Sequence, residues 1–482
     1  MRLTRSLVAL LLPAAVLLPA TVWPSGTAAA RAGCATASAA DTDGDGTDDV
    51  IAADPFAEVD GKEGAGAVHV LLGGGRGGTL VLHAPEPAAG DGFGWSVRTA
   101  HVDGDRCLDV IVGAPYADGE GGPDSGAVYV FHGRPGAPPL VSALRPAKGQ
   151  RDGHFGWSLA AAEQTGGALV AVGEPHADSD GEKDSGAIHL FEASGDVAGA
   201  ASTGTVTGVV RPLAVITQDS AGIIGNSEVG DMYGWALALG DLGGKPDVLD
   251  LAVGVPYEND DGTGRQVASG KIDAGMVGVV FDVATAKGSY TSAKWDLRQA
   301  TTTVREASGD RFGYTLDYAE WKGNGYLAAG APLADADARD DGVVQIFARE
   351  GAGEVRPLRA LKGVPAWSLT WWDARGVLSL AAGCPYAGSG GREAGTVRSI
   401  ALDGDEGDPL LSGAAGGEHL GTSVSDSGGG NAVTPGTSLV VGAPDRDATG
   451  RVAVLGDGPP AFHGPGEVEG GGSADFGASV AG

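Results

Sequence analysis

The sequence predicts an all-β fold that is built from repeated units, and three observations support this prediction. Glycine accounts for 85 of the 482 residues and proline for 26, which is typical of a chain with many turns. Hydrophobic residues make up 42%, enough for a folded core. One ordered set of three short phrases also returns every roughly 50 to 80 residues.

The best preserved copy of these phrases lies between residues 92 and 131. It starts with Phe-Gly-Trp at 93–95 and continues with an apolar run that ends at Gly113-Ala114-Pro115. This run is typical of a buried strand, because proline has no N–H and ends the hydrogen-bond ladder. The third phrase, at 126–131, alternates like a half-buried strand. Later copies of the first phrase occur at 154–157, 233–235, 312–314, 366–369 and 420–424.

With a weaker fourth strand, each repeat has the four short antiparallel strands of one propeller blade. Six copies contain a Gly-x-Pro stop, and residues 51–55 form a degenerate seventh copy. This seventh copy lacks a first phrase upstream, but one occurs at residues 475–480. We therefore predict a seven-bladed β-propeller whose first blade is completed by the C-terminal strand. The alternative, a β-sandwich, gives no reason for the repetition.

The ordered phrases resemble the FG-GAP repeat, the unit of integrin α-chain propellers and of related bacterial extracellular proteins. The resemblance covers nearly the whole chain after residue 32 and implies one propeller domain over 33–482. The expected blades are approximately 41–89 with 475–482, 90–151, 152–229, 230–308, 309–364, 365–417 and 418–474.

The N-terminus has the three parts of a secretory signal peptide. Two arginines precede an apolar run at 7–20, which leads to a stretch of small residues. We predict a signal peptide at 1–32 with cleavage after Ala32, or alternatively after Ala30. A membrane anchor is less consistent with a run this short and interrupted by prolines. We expect a secreted, extracellular protein with no membrane span in the mature chain.

The charge of the chain limits its partners. The formal net charge is −30, from 62 acidic and 32 basic residues, so nucleic acid and anionic membranes are disfavoured as partners. We expect a monomer that binds an extracellular protein or glycan. Most of the acidic residues are expected to be solvated, but some have the spacing of metal ligands.

The strongest metal-binding motif spans residues 41–49. Asp41, Asp43, Asp45 and Asp49 stand at positions one, three, five and nine, with a glycine at six. Together with the carbonyl of Thr47 they can surround one hard cation. An EF-hand would need a glutamate at position twelve, which here lies in an apolar run. The FG-GAP resemblance implies a calcium-binding β-hairpin with these ligands; an acidic solvated turn is the alternative.

A second copy of this motif spans residues 101–109. It keeps Asp103, Asp105 and Asp109, but has His101 at position one and Arg106 in place of the glycine. A hard cation disfavours an imidazole ligand and a nearby guanidinium. The sequence leaves calcium occupancy open here, so we expect calcium in one or two blades.

The chain has three cysteines, Cys34, Cys107 and Cys384. Cys34 precedes the first metal loop and Cys107 lies in the equivalent loop of the next repeat. Since neighbouring blades place equivalent loops side by side, we predict a Cys34–Cys107 disulfide. Cys384 is expected to be a small apolar side chain at the end of a buried strand.

No catalytic motif is present in the sequence: there is no G-x-S-x-G, H-E-x-x-H, G-K-[ST] phosphate loop or C-x-x-C. We therefore predict no catalytic residues. The resemblance implies an extracellular binding or adhesion module. The alternatives are a hydrolase or lyase that acts on polysaccharide or lipid at the channel mouth, and a passive structural shell protein.

Overall fold

The computed structural model describes most of the chain after residue 39. Within the described residues, seven four-stranded antiparallel sheets form a closed ring, which confirms the predicted seven-bladed β-propeller. The described residues are 40–481 except 104, 165–166, 195–209, 246–247, 260–269, 350–352, 389–390, 405–408, 429–432, 434–436, 457 and 466–474. The predicted signal peptide at 1–32 lies outside them.

Each sheet is one blade whose strands are ordered from the central channel outward. Blade 1 contains β1 (Val50–Asp54), β2 (Ala67–Leu72) and β3 (Gly78–Leu82). Blade 2 contains β4 (Ser96–Ala100), β5 (Asp109–Ala114), β6 (Ala127–His132) and β7 (Leu140–Leu144). Blade 3 contains β8 (Ser158–Gln164), β9 (Gly167–Glu174), β10 (Ala187–Ser194) and β11 (Val210–Ile216). Blades 4 and 5 contain β12 (Ala236–Gly240), β13 (Asp250–Val255), β14 (Met276–Phe281) and β15 (Thr291–Asp296); and β16 (Thr315–Trp321), β17 (Asn324–Ala331), β18 (Val343–Arg349) and β19 (Arg356–Lys362).

The last two blades complete the ring. They contain β20 (Ser368–Asp373), β21 (Leu378–Cys384), β22 (Thr396–Ala401) and β23 (Pro409–Ser412); and β24 (Val424–Asp426), β25 (Leu439–Ala443), β26 (Arg451–Leu455) and β27 (Ala461–His463). A single-turn helix, α1 (Leu297–Ala300), follows blade 4. Strand β28 (Ser479–Ala481) pairs with β1, Ala52 opposite Val480, and so completes blade 1 as predicted.

The core lies between neighbouring sheets. The middle strands are mostly buried, and β5 and β6 are buried along their whole length. Between blades 1 and 2, Val68 and Val70 belong to the same apolar cluster as Val110 and Val112. The innermost strands contact one another in ring order and form the wall of the channel. The predicted repeats thus become sheets whose two faces are both covered by neighbours.

A glycine before the third strand of each blade allows the next blade to approach. At Gly126, which has φ +83°, an added β-carbon would lie 2.1 Å from the carbonyl oxygen of Phe155 in the next blade. The two residues also form a parallel bridge, and Phe155 is fully buried. The same close approach recurs in the pairs Gly66–Phe93, Gly186–Tyr233, Gly275–Phe312, Gly395–Leu420 and Gly450–Phe476.

The glycine of the Gly-x-Pro stop makes a second contact between blades. An added β-carbon on Gly113 would lie 2.1 Å from the carbonyl oxygen of Gly156 in the next blade. The hydroxyl of Ser96 donates to the same carbonyl at 2.7 Å. Equivalent serine hydrogen bonds join Ser158 to Gly234, Ser368 to Gly421 and Ser423 to Gly477. The repeated phrases are therefore the residues that join one blade to the next.

The described residues include no helix that is long and apolar enough to cross a membrane.

Replacement of Gly126 by alanine should destabilise the fold by about 3 kcal/mol or more, since it adds a clash with the Phe155 carbonyl to an unfavourable positive φ. Gly90 is the matched control, because it has φ +85° but no atom within 4 Å of an added β-carbon. Gly90→Ala should cost only about 1 kcal/mol, for the backbone conformation alone. Urea unfolding of both variants measures the difference; equal losses would show that the approach of the blades is not constrained at Gly126.

Candidate functional site

The propeller has two different faces. The predicted metal ligands lie on one face, in blade 1 on the loop that leads into β1 and in blade 2 on the hairpin between β4 and β5. The loops that join the second and third strands lie on the opposite face, around the start of the innermost strands. The acidic loops therefore lie at one end of the channel, and the loops between the second and third strands surround its mouth at the other end.

In blade 1 the structure brings three of the predicted ligands together. Carboxylate oxygens of Asp41, Asp43 and Asp49 lie within 4.8 Å of one another, and all three side chains are buried. The loop wraps around Asp41, whose two oxygens accept hydrogen bonds from the N–H groups of Gly44 and Gly46, both at 2.7 Å. Clustered, buried carboxylate oxygens are suitable ligands for a hard divalent cation.

Two other predicted ligands of this loop are not part of the cluster. Asp45 is exposed and its Oδ1 accepts the N–H of Thr47 at 2.8 Å, while Thr47, predicted to bind through its backbone carbonyl, is also an exposed residue. The structure therefore groups positions one, three and nine, and the roles of Asp45 and Thr47 as ligands stay predictions.

Asp49 also holds the hairpin in place. Its Oδ2 accepts the N–H of Thr42 at 2.9 Å, and its Oδ1 accepts the N–H of Gly73 at 2.8 Å. Burial raises the pKa of Asp49 to about 7, and the nearby charge of Asp43 adds to this effect. A bound cation would offset the cost of keeping these carboxylates charged and close together.

The same structural role is present in other blades. Asp109 accepts the N–H groups of Val102 and Gly133, at 2.6 and 2.8 Å. Asp250 accepts those of Leu242 and Asp282, at 2.8 and 2.7 Å. This aspartate, at position nine in blades 1 and 2 and one residue later in blade 4, is therefore a structural residue whether or not a metal binds, and its substitution would be a poor test of metal binding.

In blade 2 the predicted ligands are arranged differently. Position one, His101, bonds Glu163 of blade 3 at 2.5 Å and also hydrogen-bonds the backbone of Arg106; the bond to Glu163 raises the pKa of His101. Asp105 is half-buried and accepts the N–H of Cys107 at 2.8 Å. Asp103 and Asp109 instead form a buried group with His132, at the end of β6. His132 was not identified from the sequence. The available signal was that a histidine stands at the end of the third phrase in blade 2, where blade 1 has Leu72.

The cysteines differ in state. Cys107 is disulfide-bonded and buried. Its predicted partner, Cys34, lies outside the described residues, so the pairing stays a prediction. Cys384 is free and buried at the end of β21, and burial raises the pKa of its thiol to about 12.

At the opposite face, five aromatic side chains line the channel mouth in consecutive blades. We call them the aromatic arc: Trp95, Trp157, Trp235, Tyr314 and Trp367. Neighbouring ring centroids are 5.0, 4.9, 5.5 and 4.8 Å apart in that order. All five are half-buried, and each follows the glycine of the first phrase or its replacement. Blades 7 and 1 have Thr422 and Ala478 there, so the arc is open on one side.

Deeper in the channel three charged side chains converge from different blades: Arg98, Asp317 and Asp426. Asp317 Oδ2 accepts the N–H of Trp371 at 2.7 Å. Burial raises the pKa of Asp317 and that of Asp426 to about 7. Burial also lowers the pKa of Arg98, and the nearby charge of Asp317 opposes this change.

Comparison with known proteins agrees with this architecture. Residues 79–131, from β3 to β6, match the FG-GAP repeat family model. Integrin alpha-PS2 of Drosophila melanogaster is 39% identical over 20% of this chain and 7% of its own length. Integrin alpha-7 of Rattus norvegicus is 33% identical over 33% of this chain and 12% of its own length. The chain thus spans a small part of these relatives.

A solved structure, the periplasmic gluconolactonase of Pseudomonas aeruginosa, covers 89% of this chain and 98% of its own chain. Its sequence is 12% identical and its TM-score is 0.42, which is too low to carry a functional argument. Taken with the seven sheets, the family match and the integrin relatives support an FG-GAP repeat protein that resembles integrin α-chain β-propellers.

The channel carboxylates predict a pH dependence of stability. The pKa of Asp426 rises from 3.8 to about 7 on folding, so the folded state holds this proton more tightly than the unfolded chain. The resulting stability is present below about pH 4 and is lost as the pH rises through about 7. Asp426→Asn should therefore stabilise the protein by about 1 kcal/mol at pH 8 and flatten its stability profile between about pH 5 and pH 8.

Urea unfolding across this pH range, without added metal, measures the effect. The exposed Asp60 on a loop of blade 1 provides the control variant Asp60→Asn, which should leave the profile unchanged. A profile for Asp426→Asn that matches the parent protein would contradict the assignment.

Proposed function

We propose that this protein is a secreted, calcium-binding, integrin-like propeller that acts as an extracellular binding or adhesion module. The aromatic arc is the observation that carries the proposal. Half-buried tryptophans offer large contact areas at a small entropic cost, and they are enriched where proteins bind one another. The FG-GAP repeats and the likeness to integrin α chains support the same function.

The loops around the arc determine the kind of ligand. In four blades the third residue after the proline of the stop is acidic and exposed: Glu58, Asp118, Asp178 and Asp335. With a net charge of −30, this face repels acidic glycans and attracts basic groups. A protein ligand that presents basic and apolar side chains fits the face better than an acidic polysaccharide.

Calcium has a structural role in this proposal. It binds Asp41, Asp43 and Asp49 and so fixes the hairpin between residues 40 and 50, on the face opposite to the arc. Because the three carboxylates are buried close together, removal of the ion leaves their repulsion uncompensated. The ion thereby stabilises the blade that holds the ring closed.

Calcium should raise the melting temperature of the wild-type protein, and the gain should be mostly lost in Asp43→Asn. At a concentration about 100 times its Kd, a bound ion stabilises the folded state by about 2.7 kcal/mol. Thermal melting with and without EGTA measures this gain, with Asp60→Asn as the control that keeps it. The calcium proposal fails if calcium does not change the melting temperature of the wild-type protein.

If the aromatic arc is the binding surface, a substitution in the arc should weaken binding more than a similar substitution elsewhere in the propeller. Trp157→Ala should weaken binding to the protein ligand about tenfold or more, as removal of a central interface tryptophan usually does. Trp321 is a matched control, because it is a half-buried tryptophan at the other end of an innermost strand, β16. Immobilised matrix proteins and cell-wall glycans are suitable probes. Equal losses in Trp157→Ala and Trp321→Ala would argue against the arc as the binding surface.

A further inference from the structure

The metal loop of blade 2 contains a group of ligands that differs from that of blade 1. His132 Nδ1 lies 3.9 Å from Asp103 Oδ2 and 3.9 Å from Asp109 Oδ1. All three side chains are buried, and their ligand atoms lie within 4.8 Å of one another. Cys107, in the same loop, is disulfide-bonded and offers no thiolate. The available donors are therefore two carboxylates and one imidazole.

The environment of the histidine supports a ligand-binding site at this place. His132 is 0% exposed, and its Nδ1 has no hydrogen-bond partner among the described residues. A buried polar atom without a partner costs about 1–3 kcal/mol, so such atoms are normally satisfied. The distance of 3.9 Å to each carboxylate is too long for a hydrogen bond. Two atoms that bind the same ion with bonds of about 2.1 Å can lie up to roughly 4 Å apart. The separation of 3.9 Å is therefore compatible with an ion between them.

The second ring nitrogen of His132 is held as in a metal-binding histidine. Nε2 lies 2.9 Å from the hydroxyl oxygen of Ser142, on the neighbouring strand β7. With the Nε2 proton donated to this oxygen, the lone pair of Nδ1 points at the two carboxylates. A partner of this kind fixes the ring orientation and the tautomer of a histidine that binds a metal.

Asp109 is already held by the backbone, because each of its oxygens accepts an N–H group. Asp109 therefore keeps its position without a hydrogen bond from a protonated Nδ1 of His132. The site is preformed by three strands: β5 supplies Asp109, β6 supplies His132, and β7 supplies the partner of the histidine.

We propose that Asp103, Asp109 and His132 form a site for a divalent first-row transition metal ion such as zinc, and not a second calcium site. An imidazole with two carboxylates suits zinc and related metals. Calcium needs six to eight oxygen ligands, whereas this loop has a histidine paired with Glu163 at position one and an imidazole within its buried ligand group. The proposal is independent of calcium in blade 1 and of the ligand at the arc.

The repeats provide a matched substitution. The third strands β2, β6 and β14 end with Leu72, His132 and Phe281 at the same position. In each of these three blades the next residue donates its N–H to the equivalent aspartate, which is Asp49, Asp109 or Asp250. Leucine at this position is thus compatible with the hairpin, and His132→Leu makes blade 2 resemble blade 1.

The test is zinc titration of metal-free protein by isothermal calorimetry, in calcium sufficient to occupy blade 1. We expect one zinc ion per chain, with a Kd of micromolar or below. His132→Leu should weaken zinc binding at least 100-fold, and Ser142→Ala by about tenfold through loss of the histidine's partner. His419→Gln, which removes a half-buried surface histidine paired with Asp445, should change nothing and controls for adventitious surface binding.

A spectroscopic readout separates loss of the ligand from loss of the fold. Cobalt added to the wild-type protein should give visible absorption bands, which His132→Leu should lack while it keeps the far-UV circular dichroism spectrum of the metal-free parent protein. The proposal is overturned if the wild-type protein binds no zinc below about 100 μM. It is equally overturned if His132→Leu binds zinc as well as the parent protein, or if millimolar calcium displaces the ion.

Discussion

The close approach of one blade to the next at a glycine is the constraint on which the rest of the structure depends. The carbonyl of Phe155 occupies the place where a side chain on residue 126 would begin. This approach sets the spacing of the blades and buries the aromatic residue of the first phrase. It also orients the residue two positions later toward the channel mouth, so the aromatic arc is a direct consequence of how the blades are joined.

The fold could be predicted from the sequence because its constraints are steric and recur in each blade. The glycine before the third strand, the Gly-x-Pro stop and the Phe-Gly phrase each mark one contact between blades, so their order reveals the architecture. The completion of blade 1 by β28 was predictable for the same reason, since a phrase missing at one end of the chain was present at the other.

The site was predictable only where it is local. Asp41, Asp43 and Asp49 come together because they share one short loop, whereas Asp45 faces solvent because its carboxylate bonds the adjacent backbone. His132 reaches the second loop from a different strand, so spacing within the loop could not reveal it. The aromatic arc and the charged channel residues come from separate blades and meet only when the ring closes.

The pairing of β28 with β1 has a consequence for how the protein forms. All other sheets are assembled from consecutive strands, so blades 2 to 7 can fold as soon as their own residues are available. The contact between Ala52 and Val480 instead joins opposite ends of the described chain. Contacts of such long sequence separation form late and slowly. During synthesis, blade 1 therefore stays an open three-stranded edge until residues 475–481 arrive, and this is the period when the chain most needs protection from aggregation.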